Sequence, residues 1–270
     1  MRADLHMHTT NSDGAFSALE VADMAKRRGL DIIAITDHDV FSDTTEIRVD
    51  GLRLIYGVEV SSLCNGENIH ILAYFNNYPS STFLNYLNEV KGRRRKRANK
   101  ICDLLEEHFQ IKLDRSFINK PNAITRGEIY REMVKQGYHY SNTYVFNEIL
   151  GTGCPCYVPT VEVGVKEIID FVKSNNGLAV LAHPMLYKKE NLEQIIDLGF
   201  DGMEVKYPNF EDSYSKYLHM AKKRNMFITA GSDFHSLAEL SNPGSKHGHI
   251  GQVYLSGHDL DIFLKNLEMR

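Results

Sequence analysis

A carboxylate and two histidines occupy alternate positions near the start of the chain, in the segment DLHMHTTNSDG. Side chains at alternate positions of a β-strand project from the same face, so Asp4, His6 and His8 are expected to lie together. Burying such groups is unfavourable unless a metal, solvent or hydrogen bonds satisfy them. A second carboxylate, Asp13, follows His8 in the same segment. The segment therefore indicates a polar cluster at the end of a first strand.

The rest of the chain favours an α/β barrel around such strands. Short apolar runs alternate with amphipathic helical patterns in the first and last thirds of the 270 residues, which gives about seven strands. This alternation is typical of a parallel α/β barrel. Residues 81–164 lack the strand pattern and begin with a long helical pattern over residues 85–107. We therefore predict a barrel domain over residues 1–80 and 165–270, and a helical insertion domain over 81–164 that covers the C-terminal mouth.

Composition narrows the class of protein. The net charge of -4 argues against a general nucleic-acid or membrane coat. No run approaches the roughly 18 apolar residues of a membrane-spanning helix, and the first strand begins directly after Met1 without a signal peptide. The four cysteines form no C-x-x-C motif. We expect a cytoplasmic protein without a membrane association, and we infer no obligate protein partner.

Imidazoles and carboxylates lie on several other predicted strands or at their ends, in the segments AITDHD, GVEVS, NIHIL, AHP and GSDFH. The carboxyl ends of parallel strands meet at one mouth of a barrel, so these side chains are expected to converge. The additional candidates are Asp37, His38, Glu59, His70, His183, Asp233 and His235.

The mixture of ligand types indicates a transition-metal site. Imidazole with carboxylate suits zinc, manganese or iron, whereas calcium and magnesium prefer oxygen ligands alone. Six histidines and three carboxylates exceed the ligand set of one ion, so we expect two or three divalent ions. Clustered ions stabilise an in-line displacement at phosphorus, and the pattern therefore indicates a phosphoesterase.

The ordered motifs DLHMHTTNSDG, AITDHD, GVEVS, HILAY, AHP and GSDFH resemble those of the PHP (polymerase and histidinol phosphatase) family. The resemblance covers roughly residues 3–75 and 177–255. It implies a distorted (β/α)7 barrel with a trinuclear metal site. Within the family, ITRGEIYREMVKQG and GTGCPCYVP resemble the insertion of small stand-alone phosphoesterases that act on nucleotides.

The resemblance also implies a role for each candidate. Glu59 would bridge two ions, while Asp4 and Asp37 would orient imidazoles as hydrogen-bond acceptors. Asp37 is in addition a candidate proton donor, so Asp37 and Glu59 are the predicted catalytic residues. The implied ligands are His6, His8, Glu59 and Asp233 for the first ion, Glu59, His70 and His183 for the second, and Asp13, His38 and His235 for the third.

Three positions depart from the pattern of the related stand-alone enzymes. In those enzymes a histidine often lies two residues after the arginine of the TR pair, and this chain has Glu128 there. They also often carry lysines in the loop that corresponds to GTGCPCYVP, where this chain has Thr152 and Cys154. The smaller number of cations weakens the case for a bisphosphate substrate. Arg126 remains the predicted substrate-binding residue, because a guanidinium can clamp a phosphate with two hydrogen bonds, and a salt bridge within the insertion is the alternative.

Other features have two interpretations each. The run KGRRRKRANK would track a polyanion, but the solvated face of a long helix is the preferred interpretation because apolar residues recur at helical spacing around it. Cys154 and Cys156 would bind metal or, more simply, pack in a core. His247 and His249 would either reach the mouth or face solvent.

The leading prediction is a metal-dependent phosphoesterase that hydrolyses an ester of a nucleotide, a short oligonucleotide or another small phosphorylated metabolite. Histidinol-phosphate phosphatase and a phosphodiesterase for cyclic phosphates or oligonucleotides are the alternatives within the same chemistry. A non-catalytic PHP module would show eroded ligands, yet all nine are present. A carbon–nitrogen amidohydrolase would usually carry a lysine on a later strand, which the sequence does not show at the expected place.

Overall fold

The computed structural model describes residues 1–120, 123–159, 163–237 and 246–270. Eight strands form one sheet, and helices surround it. The strands are β1 (Arg2–Asp4), β2 (Ile32–Ile35), β3 (Arg53–Cys64), β4 (Glu67–Phe75), β5 (Leu178–Leu181), β6 (Gly202–Lys206), β7 (Phe227–Ala230) and β8 (Leu255–Ser256). The helices are α1 (Ala18–Arg27), α2 (Ser81–Phe109), α3 (Arg126–Lys135), α4 (Asn142–Tyr144), α5 (Val165–Ser174), α6 (Lys189–Ile196), α7 (Tyr214–Lys223) and α8 (Gly257–Glu268).

The sheet curls into a nearly closed barrel, as the sequence predicted. Its strand order is β7-β6-β5-β4-β3-β2-β1-β8. The segments that follow β1 and β7 complete the ring, because Leu5 N donates to Ala230 O at 3.0 Å and Asp233 N donates to His6 O at 2.8 Å. This closure brings the first and last histidine motifs of the chain side by side.

Two strands run against the predicted parallel arrangement: β4, and β8, which pairs antiparallel with β1. β4 is antiparallel to both β3 and β5, while the pairs β1–β2, β2–β3, β5–β6 and β6–β7 are parallel. Only Asn65 and Gly66 separate β3 from β4, and both have positive φ, at 49° and 76°. An Asn-Gly pair with these dihedrals forms a tight hairpin, which forces the reversal. As a result, the N-terminal half of β4, which carries His70, lies at the mouth.

The hydrophobic core forms between the sheet and the outer helices. Buried aliphatic residues of β3, β4 and β5 pack against α5, α6, α7 and α8. α1 illustrates how the sequence sets the helix bounds: Ser17 caps it with Glu20 in a reciprocal capping box, and Gly29 follows its end with a φ of 74°. None of the helices in the described parts of the chain is both long and apolar enough to cross a bilayer.

The segment between β4 and α5 has a hydrophobic cluster of its own. Residues of α2, α3 and the following π-helical turn, Val145–Ile149, pack there with the buried Cys156. We propose on this basis that residues 81–164 form the helical insertion. All four cysteines are free, and the burial of Cys156 agrees with the packing interpretation.

The interpretation of KGRRRKRANK as a solvated helix face is wrong for two of its arginines. Arg93, Lys96 and Lys100 are exposed on α2. Arg94 and Arg97, in contrast, lie on its buried face with only 4% and 6% of their surfaces exposed. Sequence spacing could not show this, because both arginines find polar partners in segments that are distant along the chain.

Candidate metal centre

Glu59 lies at the centre of a cluster of imidazoles at the barrel mouth. Its side chain is fully buried, although it carries a carboxylate. The ring nitrogens that approach its two oxygens are those of His70 at 2.8 Å, His38 at 2.9 Å, His183 at 3.0 Å, His8 at 3.2 Å and His6 at 3.4 Å. Five histidines from four segments of the chain therefore meet at one carboxylate.

Two more carboxylates extend the cluster on the other side of His8. Asp233 Oδ1 lies 3.1 Å from His8 Nε2 and 3.3 Å from His6 Nε2. Asp13 lies 3.2 Å from His235 Nε2 and 3.7 Å from His38 Nε2. The structure thus brings all nine sequence-predicted ligands together.

The ligand groups overlap more than the sequence implied. His8 lies with His6, Glu59 and Asp233, but it also lies with Asp13, His38 and His235. His38 likewise lies with Glu59 and His70, although only the third ion was expected beside it. Which of the nine side chains bind which ion therefore stays a prediction.

Local backbone conformation directs several of these side chains into the mouth. Glu59 was expected at the end of its strand, but β3 continues beyond it to Cys64. Glu59 also pairs with His38 through an isolated bridge. His183 and Asp233 follow β5 and β7 with positive φ values of 26° and 50°. Positive φ is uncommon for residues other than glycine and concentrates at functional sites.

Gly231 allows β7 to approach β1 at the centre. A Cβ atom at this position would lie 2.2 Å from the Cβ of His6 and 2.8 Å from Oε1 of Glu204. Both neighbours are fully buried and cannot move aside easily. Glycine is therefore required here by the close approach of two strands.

Charge balance within the cluster shifts the pKa values of its members strongly. Burial raises the pKa of Glu59, but the charges of His38, His70 and His6 outweigh it and hold the pKa well below its usual range. Burial lowers the pKa of His8, yet Asp233 and Glu59 raise it to about 10. Burial dominates at His38 instead and lowers its pKa, so the carboxylates of the cluster favour the charged form of some imidazoles but not of all.

The same side chains fit divalent transition metals. Several buried ligand-type atoms make no hydrogen bond of good geometry with the described residues, although some lie close to an oppositely charged group: Asp13 Oδ1, His38 Nδ1, Glu59 Oε2, His70 Nδ1, His183 Nδ1 and Asp233 Oδ1. In addition, His6 Nε2 faces His8 Nε2 at 3.2 Å. Buried polar atoms are normally satisfied, so this convergence of unsatisfied nitrogens and oxygens matches a site built for cations with mixed imidazole and carboxylate ligands.

Asp4 and Asp37 do not contact imidazole nitrogens, contrary to the expectation that they orient the histidines. Asp4 accepts hydrogen bonds from the backbone amides of Ser232 at 2.9 Å and Gly251 at 2.8 Å. Asp37 accepts them from Thr9 Oγ1 and Ser12 Oγ, both at 2.6 Å, and from other donors. Their contacts hold the loops around the centre. The catalytic role of Asp37 stays a prediction, and its two oxygens are already occupied by donors.

Glu204, which the sequence reasoning missed, orients the imidazole of His6 and holds the backbone of His183. It is fully buried on β6, where its Oε1 lies 3.1 Å from His6 Nδ1 and its Oε2 accepts from His183 N at 2.8 Å. Carboxylates that bind the second nitrogen of a ligating imidazole fix its tautomer and orientation. The signal was an acidic residue in the otherwise apolar strand segment DGMEV.

Two further residues complete the surroundings of Asp233. Tyr207 donates a hydrogen bond from its hydroxyl to Asp233 Oδ2 at 2.7 Å. His247 stacks on His235 with ring centroids 4.1 Å apart and lies 3.7 Å from Asp233 Oδ2. Of the two histidines with open interpretations, His247 therefore reaches the mouth, while His249 is exposed.

We expect Glu204→Gln to weaken metal affinity by about 10- to 100-fold, because the amide keeps the shape of the side chain but loses the charge that orients His6. Activity at limiting Mn²⁺ should fall and return at high Mn²⁺. A metal titration of phosphatase activity measures this shift. Glu211→Gln, at an exposed carboxylate in the turn before α7, is the matched control. Loss of activity that excess metal does not restore would contradict the orienting role.

Arg126 is the first residue of α3, next to the centre. Thr125 caps this helix, and a Cβ atom on Gly127 would lie 3.8 Å from Asp13 Oδ2. The Arg126 guanidinium donates to Leu150 O at 3.1 Å and lies 5.7 Å from the Tyr157 ring. The alternative salt bridge is not formed with any carboxylate of the described chain. The substrate-binding role of Arg126 therefore stays a prediction.

Comparison with known proteins agrees with the fold and the centre. A family model of the PHP domain matches residues 4–144. A 5'-3' exoribonuclease of Haemophilus influenzae is 31% identical over 246 residues, which cover 86% of this chain and 89% of that protein. A 3',5'-nucleoside bisphosphate phosphatase of Chromobacterium violaceum is 27% identical over 252 residues, covering 87% and 88% of the two chains. The solved structure of a predicted metal-dependent phosphoesterase from Bifidobacterium adolescentis has the same fold, with a TM-score of 0.80, 24% identity and coverage of 99% and 98%.

The barrel, the ligand cluster and these relatives define a metal-dependent phosphoesterase. The chain belongs to the PHP family, and it is an enzyme that hydrolyses phosphoric esters. The resemblance inferred from the motifs is confirmed.

Proposed function

We propose that this enzyme hydrolyses a phosphate ester of a nucleotide or short oligonucleotide at a centre of two or three manganese, iron or zinc ions. The observation that carries the proposal is the convergence of eight ligand-type side chains around a ninth, Glu59, next to the half-buried Arg126. The names of two relatives, a 5'-3' exoribonuclease and a 3',5'-nucleoside bisphosphate phosphatase, support this substrate class.

The residues of the centre would have different roles in this reaction. Bound divalent ions supply an acidified water and neutralise the oxygens of the phosphoryl group under attack. His6, His8, Glu59 and Asp233 would hold one ion, His70 and His183 would share Glu59 with a second, and Asp13, His38 and His235 would hold a third.

Other residues keep this arrangement in place. Glu204 fixes the orientation of the His6 ring through its Nδ1 atom. Asp4 and Asp37 hold the surrounding loops. Arg126 would bind the substrate from the insertion, since its guanidinium presents several donors beside the centre.

A second candidate is a phosphodiesterase that acts on short oligonucleotides. The exoribonuclease of Haemophilus influenzae, with 31% identity along most of both chains, favours it specifically. Histidinol-phosphate phosphatase remains an alternative of the same chemistry. The cytoplasmic location stays a prediction.

A substrate screen tests the proposal. Phosphate or nucleotide release would be measured with Mn²⁺ on nucleotide mono- and bisphosphates, cyclic phosphates, 5'-phosphorylated oligonucleotides and histidinol phosphate, with the Glu59→Gln variant as a control for contaminating phosphatases. We expect the highest kcat/KM on a nucleotide or oligonucleotide. A clear preference for histidinol phosphate, or no release from any nucleotide substrate, would overturn the proposal.

A further inference from the structure

His247 lies at the edge of the metal centre, although it is not among the nine ligands that the sequence predicted. Its Nε2 atom is 3.7 Å from Asp233 Oδ2, and its ring is stacked on that of His235 with the centroids 4.1 Å apart. One potential ligand atom from each of these three side chains lies within 4.8 Å of the other two. The three side chains therefore form a further group with the composition of a transition-metal site.

The distance between His247 and Asp233 fits two ligands of one ion better than a direct hydrogen bond. At 3.7 Å, the two atoms are beyond the usual range of an N–H···O hydrogen bond. Nitrogen and oxygen ligands lie about 2.0–2.2 Å from a zinc ion, so two ligands of the same ion are roughly 3–4 Å apart. Asp233 Oδ1 faces His6 and His8, which leaves Oδ2 on the side of His247. The hydroxyl of Tyr207 donates to Oδ2 but takes only one of its two lone pairs.

Ring stacking holds the His247 imidazole in this position. The rings of His8 and His247 both have their centroids 4.1 Å from that of His235, at interplanar angles of 19° and 16°. Two rings that are nearly parallel to a third ring at this distance must occupy its opposite faces. His235 therefore lies between two imidazoles, and His247 covers the face that is turned away from the buried His8.

The backbone that carries His247 is fixed to the barrel. The next residue, Gly248, donates from its amide to Ser232 O at 2.8 Å. Asp4 holds both sides of this contact, because it accepts from Ser232 N at 2.9 Å and from Gly251 N at 2.8 Å. A position that is fixed by backbone contacts and by ring stacking is typical of a preorganised ligand.

We propose that His247 is a tenth metal ligand, which binds the ion at His235 together with Asp233. This inference rests on the proposed metal-dependent function. Two imidazoles with a carboxylate suit zinc, manganese or iron. Asp13 and His38 are the other ligands expected for this ion, so His247 adds to them and does not replace them.

An additional ligand matters most for this ion. Asp13 and His38 are partly exposed, whereas His6 and His8 are fully buried. Solvent therefore reaches the ion at His235 more easily than the ion between His6 and His8. An imidazole on the exposed side raises the affinity of the centre where it is otherwise lowest.

Titration of the chelator-treated full-length protein with Co²⁺ tests the ligand role in wild type, His247→Ala, His247→Phe and His249→Ala. Phenylalanine keeps a ring that can stack on His235 but has no nitrogen, and the exposed His249 of the same segment is the matched control. Loss of a residue that only supports a ligand costs about 10- to 100-fold in metal affinity, so both His247 variants should bind their weakest ion at least about 10-fold less tightly. Their Co²⁺ absorption spectra should also differ from that of wild type, whereas His249→Ala should match wild type.

The phenylalanine variant decides between a ligand and a purely structural side chain. Wild-type affinity and spectrum in His247→Phe would show that the ring acts by stacking alone and would overturn the inference, as would equal affinities in all four proteins. Melting temperatures of the metal-free proteins check the fold without any dependence on turnover. If the His247 variants lose an ion as expected but wild type hydrolyses no ester, the ligand role stands and the proposed function fails. If wild type hydrolyses nucleotides while all four proteins bind Co²⁺ equally, the proposed function stands and the ligand role fails.

Discussion

Replacing Glu59 by glutamine is expected to lower kcat by about 10³-fold or more, because divalent ions at such centres contribute several kcal/mol of charge stabilisation. The carboxylate of Glu59 contacts ring nitrogens of five histidines, all within 3.4 Å. Glutamine has the same shape but no charge, and its amide donors would face imidazole nitrogens. The affinity of the whole centre for cations should therefore fall.

Comparison with two other variants makes this prediction specific. His38→Ala should cost less, because one imidazole among several is removed. Glu67→Gln makes the same chemical change in the same hairpin, where the carboxylate instead accepts from Lys188 N and Asn191 Nδ2. Steady-state kinetics with circular dichroism as a folding check would measure all three. A His38→Ala loss that equals or exceeds the Glu59→Gln loss would contradict the central position of Glu59.

Asp39→Asn is expected to lower the free energy of unfolding by about 3–5 kcal/mol, the usual result of removing one partner of a buried ion pair. Asp39 is fully buried, follows His38 and pairs with Arg94 of α2. It also accepts from Ser61 N at 2.7 Å, so it joins the β2–β3 connection, β3 and the insertion. Asparagine would leave the Arg94 charge buried and would turn an amide donor toward it.

The decrease in the free energy of unfolding at acid pH tests the same ion pair independently. Burial raises the pKa of Asp39, but the Arg94 guanidinium and other donors outweigh it and hold the pKa below its ordinary value of 3.8. A depressed carboxylate pKa stabilises the fold above the unfolded-state value, and the contribution disappears as the pH falls through the folded-state value. Asp39→Asn should therefore lose stability at neutral pH and respond less to acid below about pH 4.

Urea unfolding of Asp39→Asn, with Asp43→Asn as the control, checks this prediction. Asp43 is exposed in the same connection, so its variant should change stability by less than about 1 kcal/mol. Adding Arg94→Met to Asp39→Asn should recover part of the loss, because the unpaired charge is then gone. Equal effects of Asp39→Asn and Asp43→Asn would contradict the role of the buried pair.

The convergence of the nine side chains at the mouth was predictable because they lie on strands or in the segments that follow them, where the local signals are strong. Alternation of Asp4, His6 and His8 places polar groups on one strand face, and parallel strands bring such groups to a common mouth. The barrel followed from the same periodicity. Overlap between the ligand groups was not predictable, since it depends on distances between side chains such as His38 and Glu59.

Most of the wrong or missing predictions depend on contacts between distant segments of the chain. One of them, the direction of β4, arose because a turn signal was not used. Arg94 and Arg97 have the spacing of a surface run, and only the packing of the insertion shows that they are buried. Glu204 was hidden because it acts on His6, 198 residues away. The antiparallel β4, in contrast, had a sequence signal in Asn65-Gly66, which the strand count did not use.

Elemental analysis of protein purified without chelator would show whether the centre binds metal. We expect two or three transition-metal ions per chain, a clearly lower content in Glu59→Gln, and loss of phosphatase activity when a chelator removes the ions. Fewer than one ion per chain in the wild type, together with phosphatase activity that a chelator does not reduce, would contradict this expectation.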